Sequence, residues 1–545
     1  MNKFDFDKRL QDVLNETFTD ISTTNWKEWL RISSPQEFEE TCLKNSGLDS
    51  VNDLYEKINK LKTNSSDFSL NLDTFLKDYE RSYIPIVCHT SGTTNSKLSA
   101  LKWFFMSKQV VKRSWAPGMK AIFESSGLSK EKSAVIFVPS RVKYDGLQSH
   151  EGQEYISLYS SEFSQRIMLS IIKPHSYLFY EYKLSKNLEI IAQMLQLKDV
   201  SVVSAPALTI LGWADIEKLK IGIRSSLQTL STGKDPKLDE LIDMINKEGL
   251  EEACKIIHER LSKKLSNATI VFSISSLSED NWNLIRNFMK WEKGKEKFTN
   301  LYVISEIGPF AASIAKKDNI NTHFNDMFVF PLSMAALEIK STMHPISQIT
   351  SGYGKLFVSR MHERDPLINI DLGDVISVLD NNNGLPHIEG KILRSSFKLQ
   401  YSIKITNKVK APNSYNLFAG DYFIFNEFYI KEPRKLLFFL KENCDFQTDS
   451  MLLISQNDRE EKFRLILPSS SSCDDAKFIK NKIIQSKEMK EFHQIFDDNT
   501  IRIELIDDQP IDFLETRKSK LKKVRSGDTP KGILKKWPLY VLQEF

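Results

Sequence analysis

The chain has 545 residues, 41% apolar and 27% charged, a balance that argues against disorder along most of its length. Its 75 basic and 71 acidic side chains leave a formal net charge of +4, less than a dedicated nucleic-acid binder would carry. The five cysteines, Cys42, Cys88, Cys254, Cys444 and Cys473, are widely spaced and form no C-x-x-C, which disfavours a disulfide scaffold or zinc ribbon and suits a reducing cytoplasm. At roughly 100–200 residues per domain, about two to four domains are expected. The start, MNKFDFDKRLQDVL, has no apolar stretch of the secretory kind. No apolar run reaches about 18 residues, so no membrane span is expected.

Residues 1–80 read as a helical N-terminal segment. Phe4, Phe6, Leu10, Val13 and Leu14 recur near helical spacing, as do Leu54, Ile58 and Leu61. Ser34-Pro35-Gln36-Glu37 reads as a helix start. From residue 83, short β-branched runs (YIPIVCHT, SAVIFVPS, DVSVVSAP, NATIVFSIS, NLYVISE) alternate with amphipathic stretches such as Leu188–Leu195 and Asp239–Leu265. This alternation predicts an α/β domain over residues 81–395 with a largely parallel sheet. In such sheets ligands bind at the carboxyl ends of the strands. From about residue 352 the pattern is strand-rich: GKLFVSR, DVISVLD, then an Asn383-Gly384 hairpin turn. Residues 396–545 read as a small α+β domain, with FYIKEPRKLLFFLKE and KFRLILP as strands and a loop at Pro468–Ser472. A basic tail runs from Arg517 to Lys536.

Cys88-His89-Thr90-Ser91-Gly92-Thr93-Thr94-Asn95-Ser96-Lys97 follows the first of these strands. Small hydroxyl residues around a glycine let backbone N–H groups converge on one point, a nest for phosphate oxygens. Lys97 would add a point charge. The same composition also suits a Ser/Thr-rich surface loop.

T-S-G-T-T directly after a strand resembles the phosphate loop of the adenylate-forming enzymes, the acyl-CoA synthetase and luciferase superfamily. Asn95 stands at the family's second glycine. Three further blocks follow in the family's order. NLYVISEIGP, residues 300–309, resembles N-x-Y-G-x-S-E-x-x-G-P of the phenylacetate-CoA ligase branch. PLINIDLGDV, residues 366–375, resembles P-x-I-R-Y-x-x-G-D, with Asn369-Ile370 in place of R-Y. GLPHIEGKILRSSFKL, residues 384–399, resembles the hinge to the C-terminal domain, with Ser395 and Ser396 at its aspartates.

The resemblance spans residues 83–400. It implies a large N-terminal domain of mixed and parallel sheets flanked by helices, and a smaller, mobile α+β C-terminal domain. It also implies the site. Thr90, Ser91, Gly92, Thr93, Thr94 and Lys97 would take the β,γ-phosphates. Tyr302 would be the adenine platform, with Ser305 in the same block, and Glu306 the Mg²⁺ carboxylate. Asp374 would clamp the ribose hydroxyls, and Arg394 would contact ribose or phosphate. In the terminal DTPKGILKK, Lys531, or else Lys535, would be the lysine that reaches the α-phosphate.

The implied reaction is ATP- and Mg²⁺-dependent activation of a small carboxylic acid as acyl-adenylate, with pyrophosphate released. Transfer to coenzyme A or another thiol would follow. An amine is the alternative acceptor, as in the plant hormone-conjugating amido synthetases. A carrier protein is a third, as in the bioluminescence acyl-protein synthetase (LuxE-like) branch. Phe104-Phe105-Met106 and Phe328–Leu332 suit an acyl pocket or, equally, core. A reading of another class makes the body a non-catalytic scaffold whose basic tail, with Trp537 and Tyr540, binds nucleic acid or an anionic surface.

Overall fold

The computed structural model describes residues 14, 25–46, 83–89, 103–138, 156–181, 187–228, 235–272, 279–314, 326–360, 367–381, 384–399, 404–410, 414–425, 428–455, 463–469, 475–497, 500–512 and 537–544. They form two compact units. One comprises the described residues up to Asp371 together with Ile376–Lys391. The other comprises Leu372–Val375 and the residues from Ile392 onward.

In the first unit every β-branched run of the α/β reading is a strand. β1 (Tyr83–His89) pairs antiparallel with β2 (Trp103–Ser107) and parallel with β4 (Ile156–Tyr159), in a small sheet of its own. Placing YIPIVCHT in the main parallel array is thereby corrected. That array is β5-β3-β6-β7-β8, built from β3 (Ser133–Val138), β5 (Ser176–Glu181), β6 (Val200–Ser204), β7 (Thr269–Phe272) and β8 (Phe298–Ile304). β3 is buried at all six positions, as a two-faced parallel strand must be. β8 then turns back as β9 (Gly308–Ala312), and from here the pairing is antiparallel. Beyond β9 the sheet continues through β10 (Met327–Val329), β15 (His387–Ile388), β14 (Leu367–Asp380), β13 (Gly352–Arg360), β11 (Met334–Ile339) and β12 (Thr342–Pro345). The sheet is therefore mixed, with the parallel part confined to one half.

Helices cover the parallel strands. Leu188–Gln196 is capped by the Asn187 side chain, which accepts from the Glu189 N–H, and it buries Ile190, Ile191 and Met194. The amphipathic stretch Asp239–Leu265 is carried by two helices, Pro236–Glu248 and Leu250–Leu265, broken at Gly249 with φ +80°. Asp235 caps the first and Pro236 occupies its opening turn. In the N-terminal segment Pro35–Ser46 is helical, starting at the predicted Ser34-Pro35. The other helical spacings of that segment, except Leu14, lie outside the described residues. Gly384 has φ +84°, and β14 and β15 pair antiparallel around it, as a hairpin requires.

The second unit has a sheet in the order 397–398, 415–420, 539–544, 451–455, 463–468, 501–506. Helices Pro433–Cys444, Ala476–Gln485 and Lys490–Asp497 pack on one of its clusters. KFRLILP is a strand, Phe463–Pro468, but FYIKEPRKLLFFLKE is mostly not: only Tyr429–Lys431 is extended, and Pro433–Cys444 is helix. The reason is periodic. Leu436, Leu437, Leu440 and Cys444 recur at three- and four-residue spacing and are buried, and Pro433 begins the first turn.

Candidate active site

The block 300–309 occupies the carboxyl end of β8, at the edge of the parallel array. This is where an open α/β sheet presents side chains to a ligand. Ser305 and Glu306 form the turn between β8 and β9, closed by the Ile307 N–H on the Ile304 carbonyl at 3.2 Å. Gly308 has φ +97°, and a Cβ there would lie 3.1 Å from the Trp115 indole. Pro309 lies so close to Gly118 that a Cβ on that glycine would sit 2.6 Å away. The I-G-P part of the block is thus a packing requirement of the helical run Val111–Ser125. Ser114 Oγ donates to the Ile307 carbonyl at 2.5 Å from the same run.

The turn is held from two further sides. Arg360, at the end of β13 and 4% exposed, donates from Nη1 to the Glu306 carbonyl at 2.7 Å. Ser305 Oγ and Ser160 Oγ share a hydrogen bond at 2.7 Å. Ser160 opens helix Ser160–Ile172, which brings a positive helix end to the turn. Glu306 is buried at 6% exposure. Tyr302 is half-buried, its ring edge-on to Phe310 at 5.6 Å and 85°. Trp115, Ser160 and Arg360 are members of this site that motif spacing did not reveal. They sit far away in sequence, and nothing local marks an Arg at a strand end or a Ser opening a helix.

In the second unit, Asp374 and Arg394 meet. They lie opposite each other across β14 and β16 (Leu393–Arg394), and Arg394 Nη1 is 3.1 Å from Asp374 Oδ1. Nη1 also donates to the Leu372 carbonyl at 2.7 Å. Gly373 lies under the guanidinium with φ +67°, and a Cβ there would come within 3.0 Å of Arg394 Cζ. Arg394 Nε is buried and has no hydrogen-bond partner among the described residues. Ser395 and Ser396, at the resemblance's hinge aspartates, use their backbone N–H groups on the Gly373 and Tyr422 carbonyls, both at 2.8 Å.

Thr90, Ser91, Gly92, Thr93, Thr94 and Lys97 lie outside the described residues, as do Lys531 and Lys535. The strand that leads into the loop is described. Its Cys88 is buried, and burial first, then the Glu162 charge, pushes the thiol well above its ordinary pKa, so it stays a thiol. Glu162 is wholly buried, and Arg166 Nε pairs with it at 2.9 Å. Phe328–Leu332 are core, all buried. Trp537 and Tyr540 are buried at 6% and 0% exposure beside the terminal strand Leu539–Glu544, so they offer no stacking surface to nucleic acid.

Among the described residues no group of three or more His, Cys, Asp or Glu could hold a metal alone, and no helix is long and apolar enough to cross a membrane. No family model and no curated protein matches the chain. Among solved structures it is similar to the acyl acid amido synthetase AtGH3.15 in complex with 2,4-DB, at 13% identity and TM-score 0.49, over 100% of this chain and 99% of that one. It is similar to an open conformation of 2-hydroxyisobutyryl-CoA ligase in complex with 2-HIB-AMP and CoA, at 9% identity and TM-score 0.47, over 92% and 87%. The amide bond synthetase McbA from Marinactinospora thermotolerans is similar at 11% identity and TM-score 0.36, over 82% and 71%.

Proposed function

We propose that the protein activates a small carboxylic acid with ATP as an acyl-adenylate, releases pyrophosphate, and transfers the acyl group to coenzyme A or another thiol. The observation that carries this reading is the meeting of Asp374 and Arg394. They belong to separate motifs, each matched to the nucleotide on its own, and they lie 3.1 Å apart with an arginine Nε donor left over.

Joining a carboxylate to a phosphate brings two anions together, so positioning and charge neutralisation carry the rate. Tyr302 offers a face for adenine. Asp374 accepts from the ribose hydroxyls, oriented by Arg394. Thr90–Thr94 and Lys97 hold the β,γ-phosphates, and Lys531 stabilises charge at the α-phosphate. Glu306 is one buried carboxylate on a fixed turn, which fits a Mg²⁺ ion that takes its other ligands from phosphates and water. When bound, the ion offsets charge on the bridging oxygens. A carrier-protein thiol would accept by the same chemistry as coenzyme A. The amine acceptor is the second reading, favoured by the serines that replace the hinge aspartates.

The test is pyrophosphate release from ATP with Mg²⁺ and a pool of aryl, fatty and amino acids, with coenzyme A or amines as acceptor. Acid-dependent release, lost in the isosteric Glu306→Gln, is expected, and the product names the acceptor. Release that needs no acid, or that Glu306→Gln leaves intact, would overturn the proposal.

A further inference from the structure

The first unit holds a concavity at the opposite end of the parallel strands from Glu306. It is a cavity of about 1070 Å³. Lys132, Asp199, Thr269 and Lys297, at or just before the amino ends of β3, β6, β7 and β8, line it. The seven residues of β8 put it roughly 20 Å from the turn that carries Glu306.

Its charge is one-sided. Six cationic side chains face two carboxylates, Asp199 and Glu240, in a chain whose whole net charge is +4. Glu240 is already shared by Lys237 and Arg260. Asp199 is then the carboxylate left for Lys132, Lys263, Lys264 and Lys297. The Lys263 carbonyl accepts from Ser266 Oγ at 3.0 Å, but the ammonium groups of Lys263 and Lys264 make no hydrogen bond or ion pair among the described residues. Both stand in the last turn of helix Leu250–Leu265. A second observation is independent of charge. Ser201 lines the cavity, its Oγ is closed to solvent, and it has no hydrogen-bond partner among the described residues. A buried hydroxyl left unmatched is destabilising, and a ligand acceptor would satisfy it.

We propose that this concavity binds a small, soluble anion carrying several phosphates. A carboxylate or single phosphate would answer only part of the charge. The volume is that of a small-molecule site, of order 300–1000 Å³. Lysines act here as mobile point charges suited to phosphate oxygens, and Ser201 and the half-buried Thr269 add hydroxyls. The proposal does not rest on the adenylation chemistry, and the site is separate from it.

The experiment is calorimetric titration of the full chain with inorganic tripolyphosphate at low salt, with no ATP present. Wild type, Lys263→Gln/Lys264→Gln and Lys97→Gln are compared, each checked for an unchanged melting temperature. One equivalent that survives Lys97→Gln is expected. The Lys263/Lys264 pair should weaken it about tenfold, equivalent to about 1.4 kcal/mol, with affinity falling as salt rises. No binding to wild type, or equal binding to the Lys263/Lys264 variant, would overturn the site. So would loss of all binding in Lys97→Gln alone. The lysines would then serve only to complement their helix terminus.

Discussion

Gly308 and Trp115 decide where Glu306 stands, because the turn that carries it closes only with a left-handed residue under the indole. Gly308→Ala combines that backbone conformation with a contact 3.1 Å from the ring. It should cost about 1–3 kcal/mol, read as a lower melting temperature, with acid activation falling further than stability does. Asp374→Asn keeps the shape of the proposed ribose clamp but removes the charge from its bonding. It should raise KM for ATP roughly 10–100-fold, with a smaller change in kcat. His387 makes a separate prediction. It is stacked on Phe328, with Nδ1 3.0 Å from Asp380 and Nε2 3.5 Å from Asp326. Burial pulls its pKa down, but hydrogen bonds and charge from Asp326 and Asp380 outweigh this, and the net shift is upward. The stabilisation is therefore full below the ordinary histidine pKa of about 6.5 and is lost as pH rises through the raised value. The melting temperature of wild type minus that of His387→Gln should be largest in acid and shrink toward alkaline pH. A difference that grows with pH would contradict the assignment.

At the scale of elements, helix Pro433–Cys444 shows how the second unit is held. Its Leu440 is fully buried in the cluster with Met451 and Phe463. Leu440→Ala should cost about 2–5 kcal/mol, seen as an earlier calorimetric transition. This helix was illegible as one because Phe438 and Phe439 interrupt its pattern: Phe438 is 49% exposed, so apolar residues fall on both faces and mimic a strand. The parallel strands were legible for the opposite reason. Runs such as Ser133–Val138, buried on both faces, need continuous β-branched residues. The small sheet of Tyr83–His89 was not, since the partner of a strand is set by long-range pairing that composition does not encode. Asn369 is a similar case. It has φ +52° within β14 and is buried, and Asn tolerates that conformation where the resemblance's arginine would not. Motif reading singles out Glu306, Asp374 and Arg394 as candidates: Glu306 lies two residues before Gly308 in its turn, Asp374 follows Gly373 within β14, and Arg394 stands opposite Asp374 on β16. It missed Trp115, Ser160 and Arg360, which reach the same turn from distant elements.

Across the whole molecule, groups from distant parts of the chain would serve one proposed reaction, and that chemistry leaves a trace that no binding experiment does. When an acid becomes an acyl-adenylate and then an acyl product, one oxygen of its carboxylate stays on AMP. The measurement is mass spectrometry of AMP formed by the full-length protein from ATP and an ¹⁸O-labelled acid that supports pyrophosphate release. Acyl-adenylate formation should give AMP carrying one ¹⁸O per turnover, with no labelled AMP from Glu306→Gln. Label appearing in inorganic phosphate, with ADP as the nucleotide product, would contradict it and mark an acyl-phosphate reaction instead.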